Sequence, residues 1–307
     1  MFAENSVRSL EIKNLLEKEG FLNGEIGIAI IDLKQQEPKI FGYNIDHFIY
    51  PASVYKIFIG AEMLRRVEIG DFSLEQMVEI KSPNDVDKDT RIFSGDTRKL
   101  LNVGDKVSVD CLLDLMLTRS DNTASNTLID LVGRESITEH IIHKYNWHGS
   151  EVTRKFLDRI KEDKPYRFSE TTMSCARHCA EFMYLVETEQ LVSPFVSKKL
   201  KEYMLRWNRE GRGGLYIPEY ISYYRKGGWL ETNFYKTSPI RAFIRLIQNK
   251  WTVIRWSNDC GVVTGKNSQY VVSVFTVTKT KNPYKYFDMR KCAKVIFEYM
   301  ENYDHEN

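Results

Sequence analysis

From Ser6 to Glu19, the apolar residues Leu10, Ile12, Leu15 and Leu16 recur near helical spacing, and Gly20 follows where such a helix would stop. The rhythm then changes. GEIGIAIIDL, residues Gly24 to Leu33, is β-branched and almost uninterrupted, and PKIFGYN follows a polar turn, so the two read as a β-hairpin. From Pro51 to about Leu205 the period returns to three or four, in KIFIGAEMLRRVE, VDCLLDLMLTR, NTASNTLIDLV and TMSCARHCAEFMYLV. The β-rich pieces ISYYRKGGWLE, NDCGVVTG and QYVVSVFTVTK come next, and an amphipathic helix, MRKCAKVIFEYMENY, closes the chain.

Strands at both ends with helices between them predict an α+β fold, its antiparallel sheet completed by both termini around an inserted all-helical lobe. The whole chain, 1–307, reads as one unit, with 1–48 and 206–307 forming the sheet lobe and 49–205 the helical lobe. An insertion at 230–257 is too long for a hairpin. Within it Ser238-Pro239 reads as a helix N-cap and first position, followed by Ile240, Phe243, Ile244, Ile247, Trp251 and Ile254 on one face and Arg241, Arg245 and Lys250 on the others. An extra packed helix, a lid, a partner-binding helix and a membrane-surface element all remain open for it.

Composition narrows the partners. Lys plus Arg total 44 against 42 Asp plus Glu, a net charge of +2, so no nucleic-acid partner is expected. The longest apolar run, near Tyr270 to Val277, is strand-like, and nothing approaches the ~20 apolar residues of a transmembrane segment. The five cysteines, Cys111, Cys175, Cys179, Cys260 and Cys292, are odd in number and lack C-x-x-C spacing, which suits buried thiols better than a disulfide framework. The opening MFAENSVRSLEIKNLLEKEG lacks the marks of a secretory signal. Together these lean towards a cytoplasmic protein; a periplasmic or secreted one is the reading if this is a trimmed chain. Cys175 and Cys179 flank His178 one turn apart, but no further ligands lie nearby, so no metal and no cofactor are expected. Oligomeric state is left open.

Three short boxes carry the candidate chemistry. In Ser53-Val54-Tyr55-Lys56 a helical pattern follows Pro51, and positions i and i+3 share a face, so the Ser53 hydroxyl and Lys56 amine can come within hydrogen-bonding reach. A helix cap followed by a solvated lysine would look the same. Ser120-Asp121-Asn122 lies between two helical runs, where Ser120 can relay a proton and Asn122 can hold a carbonyl and the lysine amine; a plain Asx cap is the bland alternative. Lys226-Gly227-Gly228 lies in a β-rich stretch. Its glycines admit a closely approaching backbone or ligand, and its cation can lower the proton affinity of Lys56. The Trp229 N–H can complete an oxyanion hole with that of Ser53.

With the boxes in this order, PASVYK, LMLTRSDNTASNTLIDLVG and YYRKGGW resemble the S-x-x-K, S-D-N and K-T-G motifs of class A serine β-lactamases and the related D-Ala-D-Ala peptidases. The resemblance extends to VGDKVSVDCLLDLM, the SETT before a helix, NDCGVV and YVVSVFTV. It implies a three-layer α/β/α-like fold, Ser53 as the acylated nucleophile, Lys56 as its proton partner, Ser120 as relay and Lys226 as electrostatic partner. Asn122, Gly228 and Trp229 would bind substrate.

Two departures bear on turnover. Gly227 replaces the hydroxyl residue of the third box; Lys236-Thr237-Ser238 is a weaker rival without the preceding strand pattern. The stretch VTRKFLDRIKEDKPYRFSETT lacks the E-x-x-L-N pattern whose glutamate activates the deacylating water in class A enzymes. Asp158 and Glu162 are the carboxylates nearest that position, and solvated loop charge is the plainer reading of both. The expected function is therefore a serine hydrolase that opens a β-lactam and turns over weakly. A D,D-peptidase acting on a peptidoglycan-like peptide, another amide or ester hydrolase, and a non-catalytic binding module are the alternatives.

Overall fold

A computed structural model describes residues 2–22, 24–81, 96–158, 161–206, 221–232, 253–282 and 286–303. The apolar run near the start forms strand β1 (Glu25–Asp32), buried at every position after the first because both of its faces are covered. It pairs with β2 (Ile40–Tyr43) on one side and with β7 (Gln269–Thr280) on the other, with Ile28 opposite Val274. Beyond β7 lie β6 (Val253–Thr264) and then β5 (Ser222–Thr232), giving the antiparallel order β2-β1-β7-β6-β5.

The period-2 alternation divides these strands between two cores. Ile28 and Ile30 of β1, with Val272 and Val274 of β7, face helix α1 (Ser6–Lys18) and helix α8 (Met289–Asn302). Ala29, Ile31, Val271 and Phe275 face the other way, onto α6 (Ala176–Glu187) and the helical body. Each such Ile or Val, fully buried, contributes ~1.5–3 kcal/mol. The Asn5 side chain caps α1 by accepting from Arg8 N–H, and Gly20 ends it at φ +77°, a left-handed conformation that suits glycine.

The helical body gathers around α2 (Lys56–Glu68), whose first nine residues are all buried. Around it stand α3 (Val109–Thr118), α4 (Asn122–Val132), the short α5 (Arg134–Ile137) and α7 (Pro194–Leu205). This middle section is not purely helical as the sequence suggested. Strands β3 (Met77–Glu79) and β4 (Lys106–Ser108) form a small ladder, too short at three residues each to show an alternation. Residues 151–158 and 167–173 are irregular. The rival Lys236-Thr237-Ser238 and most of the helix expected from Ser238 lie outside the described residues. Ile254, placed on that helix, stands instead in β6 opposite Thr232, and both ends of the expected 230–257 insertion continue the β5–β6 ladder, whose backbone pairing overrides the helical spacing. Among the described residues, no helix is long and apolar enough to cross a membrane.

Candidate active site

Ser53 stands in a one-turn 3-10 helix, Ala52–Tyr55, that runs directly into α2. Ala52 before it has φ +49°, a conformation that costs a non-glycine residue energy and fixes where the next side chain is presented. Ser53 is 5% exposed and lines a cavity of about 620 Å³ between β5, the start of α4 and the segment 154–158. One helical turn on, Lys56 is fully buried. Its Nζ donates to the Ser120 carbonyl at 2.6 Å, to Asn122 Oδ1 at 2.7 Å and to Ser120 Oγ at 3.2 Å.

Ser120 has φ +63° and is held in that turn from both sides. Arg119 ties its guanidinium to Asp121 at 3.1 Å and to the carbonyls of Arg98 and Lys99, while Asp121 caps α4 by accepting from Ala124 N–H at 2.9 Å. Lys226, on β5, completes the group by donating to Ser120 Oγ at 2.9 Å. One or more residues of each sequence box, Ser53, Asn122 and Trp229 among them, thus line one cavity, and the Ser120 hydroxyl stands between the Nζ atoms of Lys56 and Lys226.

The glycines of the third box have separate physical reasons. A Cβ on Gly228 would lie 2.6 Å from Ser53 N and 2.5 Å from Pro51 O, so only glycine lets the strand run this close to the serine turn. Since β5 is the outermost strand of its sheet, one row of its backbone groups is not used in pairing with β6. Trp229 is 42% exposed and lines the cavity. Gly227 faces the other side of the sheet, where a Cβ would run into the Arg225 guanidinium. Arg225 is buried against Asp259 (Nε to Oδ1 2.8 Å), and Tyr223 donates to the same oxygen. Burial pushes the Asp259 carboxyl up despite the opposing pull of Arg225, while for Arg225 burial disfavours the charge but the charge and hydrogen bond of Asp259, with Tyr223, together outweigh it and strengthen proton binding.

The two candidate carboxylates separate. Asp158 is exposed and lines the cavity. Glu162 is 2% exposed and belongs to the loop's own scaffolding: it pairs with Arg134 at 2.6 Å and accepts from Lys155 N–H at 2.8 Å. The solvated-loop reading of Glu162 is corrected by this burial, and its ion pair leaves it outside the residues that line the cavity. Lys155 joins the same scaffolding through Asp130 and through Asp163 at 2.9 Å; burial disfavours its charge, but these hydrogen bonds outweigh that and raise its proton affinity.

The group beside Lys56 is one that sequence reasoning missed. The Phe156 ring lies 4.3 Å from Lys56 Nζ and stacks on Tyr55 with centroids 4.8 Å apart. Asn126 clamps its backbone, accepting from Phe156 N–H at 2.8 Å and donating to its carbonyl at 3.4 Å. Asn126 stands four residues after Asn122 on α4, a spacing that was a readable signal; the position of Phe156 depends on the loop fold and had none. Nor does Cys175–His178–Cys179 gather as ligands. His178 Nδ1 is bonded to Ser150 Oγ at 2.8 Å, and the Cys179 thiol, raised by burial, packs against Cys260.

A family model described as the β-lactamase enzyme family matches residues 8–300. The chain belongs to that family. It is 23% identical over 308 residues to the β-lactamase VEB-1 of Pseudomonas aeruginosa, covering 98% of this chain and 92% of that one. Among solved structures, the TLA-3 extended-spectrum β-lactamase superposes with a TM-score of 0.72 at 15% identity, covering 96% of this chain and all of that one. PBP-A gives 0.69 at 17% identity, over 99% and 100%. At these identities the superpositions speak for the fold, and they bear out the antiparallel sheet with helices on both faces and an inserted helical body. The family match makes this chain a β-lactamase-like serine hydrolase.

Proposed function

We propose that this chain opens β-lactam amides by transferring the acyl group to Ser53, and that it releases the group slowly. The observation that carries this reading is the line of contacts from Lys56 Nζ through Ser120 Oγ to Lys226 Nζ, joined through the Lys56–Asn122 hydrogen bond to the cavity that Ser53 and Asn122 line. In acylation, Ser53 Oγ bonds to the lactam carbonyl carbon as its proton passes to Lys56, and the carbonyl π electrons move onto oxygen. The N–H groups of Ser53 and Trp229 receive that oxyanion. When the carbonyl re-forms, the C–N bond breaks and the ring nitrogen takes its proton through Ser120. Asn122 positions the acyl group, Gly228 gives the strand its close approach, and the Lys226 charge favours a substrate carboxylate.

Slow release follows from Phe156. Hydrolysis of the ester needs a base to deprotonate water, and the aromatic face beside Lys56 accepts no proton. Asp158 remains the loop's candidate for that task; Glu162 is held by Arg134. The same feature favours a second reading, a D,D-peptidase whose acyl-enzyme waits for an amine from a peptidoglycan-like peptide. A binding module on this fold would need neither outcome.

Intact-protein mass spectrometry with a penicillin and a cephalosporin tests this. The expected result is a long-lived adduct of drug mass that is lost in Ser53→Ala. An adduct that disappears within a few turnovers, with hydrolysed drug, would refute slow release. No adduct with either drug would refute the β-lactam reading, and a function unchanged in Ser53→Ala would favour the binding module.

A further inference from the structure

We propose that His143, His148 and Glu151 form a surface site for a divalent transition-metal ion of the zinc class. One nitrogen from each imidazole and one carboxylate oxygen lie within 4.8 Å of one another. His143 Nε2 is 3.5 Å from Glu151 Oε1, and the two imidazole centroids are 4.8 Å apart. Two imidazoles with one carboxylate are the donor set that zinc accepts, with water as the fourth ligand. A tetrahedral ion with donors at ~2.0–2.1 Å requires them ~3.4 Å from one another, so the His143–Glu151 separation is nearly right already. His143 and His148 are exposed and Glu151 half-buried, which leaves His148 free to close the remaining gap by side-chain rotation.

The loop beneath these side chains is fixed. His143 lies in a one-turn 3-10 helix, His143–Tyr145, and Asn146 then reverses the chain at φ +59°. Trp147 is buried, its Nε1 donating to Glu181 at 2.8 Å. Gly149 turns at φ +90° against the Phe48 ring, and Ser150 is buried on Ser174 and His178. His148 and Glu151 therefore project from a hairpin-like turn anchored on either side by Trp147 and Ser150.

A further carboxylate stands beside the cluster. Glu139 Oε2 lies 3.7 Å from His143 Nδ1, one helical turn earlier, so the Nδ1 edge of the ring faces a carboxylate and the Nε2 edge faces Glu151. Drawn in by a small rotation of this exposed side chain to hydrogen-bond distance, such an outer carboxylate would fix the tautomer that leaves Nε2 to coordinate. None of these four residues lines the cavity at Ser53, so the site is separate from the acyl-transfer machinery.

Isothermal titration of the full chain with zinc chloride tests the proposal, with cobalt(II) as a spectroscopic probe. One zinc per chain is expected, with micromolar affinity. His143→Asn and His148→Asn should each weaken binding by at least ~10-fold, and Glu139→Gln by ~10-fold as an outer partner. Cobalt should give visible d–d bands without thiolate charge transfer. The proposal is overturned if the double variant His143→Asn, His148→Asn binds zinc as the parent does, if a thiolate band appears, or if no zinc binds at millimolar concentration. Circular dichroism of these surface variants verifies that each is folded.

Discussion

In the proposed mechanism, Phe156 is the residue on which turnover depends. Its ring centroid lies 4.3 Å from Lys56 Nζ, and Asn126 holds both its N–H and its carbonyl, so a substituted side chain would start from the same place. Phe156→Glu should therefore put a carboxylate beside Lys56 and shorten the acyl-enzyme lifetime by ~10²-fold or more, the scale of one general base. Decay of the adduct mass in variant and parent gives the comparison. His178 supplies a second prediction at this scale. Burial lowers its pKa to about 4 from an ordinary 6.5. The unfolded chain thus binds a proton that the native one refuses, and stability falls by up to ~3 kcal/mol as pH drops from 6.5 towards 4. Urea unfolding across that range should show the slope, and His178→Asn should reduce it. Of these two residues, neither was legible in its role: a helical spacing reveals a shared face, but it does not reveal which loop will fold down over it.

Strand β5 shows how one element reconciles two demands. Its cavity side must approach Ser53 closely, hence Gly228, and its reverse side must hold a buried arginine, hence Gly227. Gly227→Thr, which restores the residue of the usual third box, should not improve substrate binding. Its side chain meets the Arg225 guanidinium, and such overpacking costs ~1–3 kcal/mol, readable as a lower urea midpoint. The segment 151–166 makes a parallel case. Arg134→Ala would leave Glu162 buried without its cation, at a cost of ~3–5 kcal/mol, of which local loosening of the loop could absorb part. Faster proteolysis of that loop with the core still folded would be the signature. The strand and its motif were readable from glycines in a β-rich run. The reason for the first glycine was not, because it lies in a side chain two residues earlier on the same face.

At the scale of the molecule, the alternation of period 2 and period 3.6 was sufficient for the architecture. Apolar faces of β1 and β7 had to be covered on both sides, and the chain has helical stretches before, between and after its strands to do so. What the pattern could not give was strand order, which depends on pairing between distant segments, or the small β3–β4 ladder inside the helical body. That distant pairing has a kinetic consequence. Ile28 finds its partner in Val274, and every residue of the helical body lies in the loop their meeting closes. A chain growing from its N-terminus holds β1 and β2 as a two-stranded hairpin covered on one face by α1 alone, with the β1 edge unpaired, until β7 has been made. The helices, whose contacts are closer in sequence, can condense first, so synthesis passes through a stage with an assembled helical body and a hairpin whose β1 edge awaits its last strands.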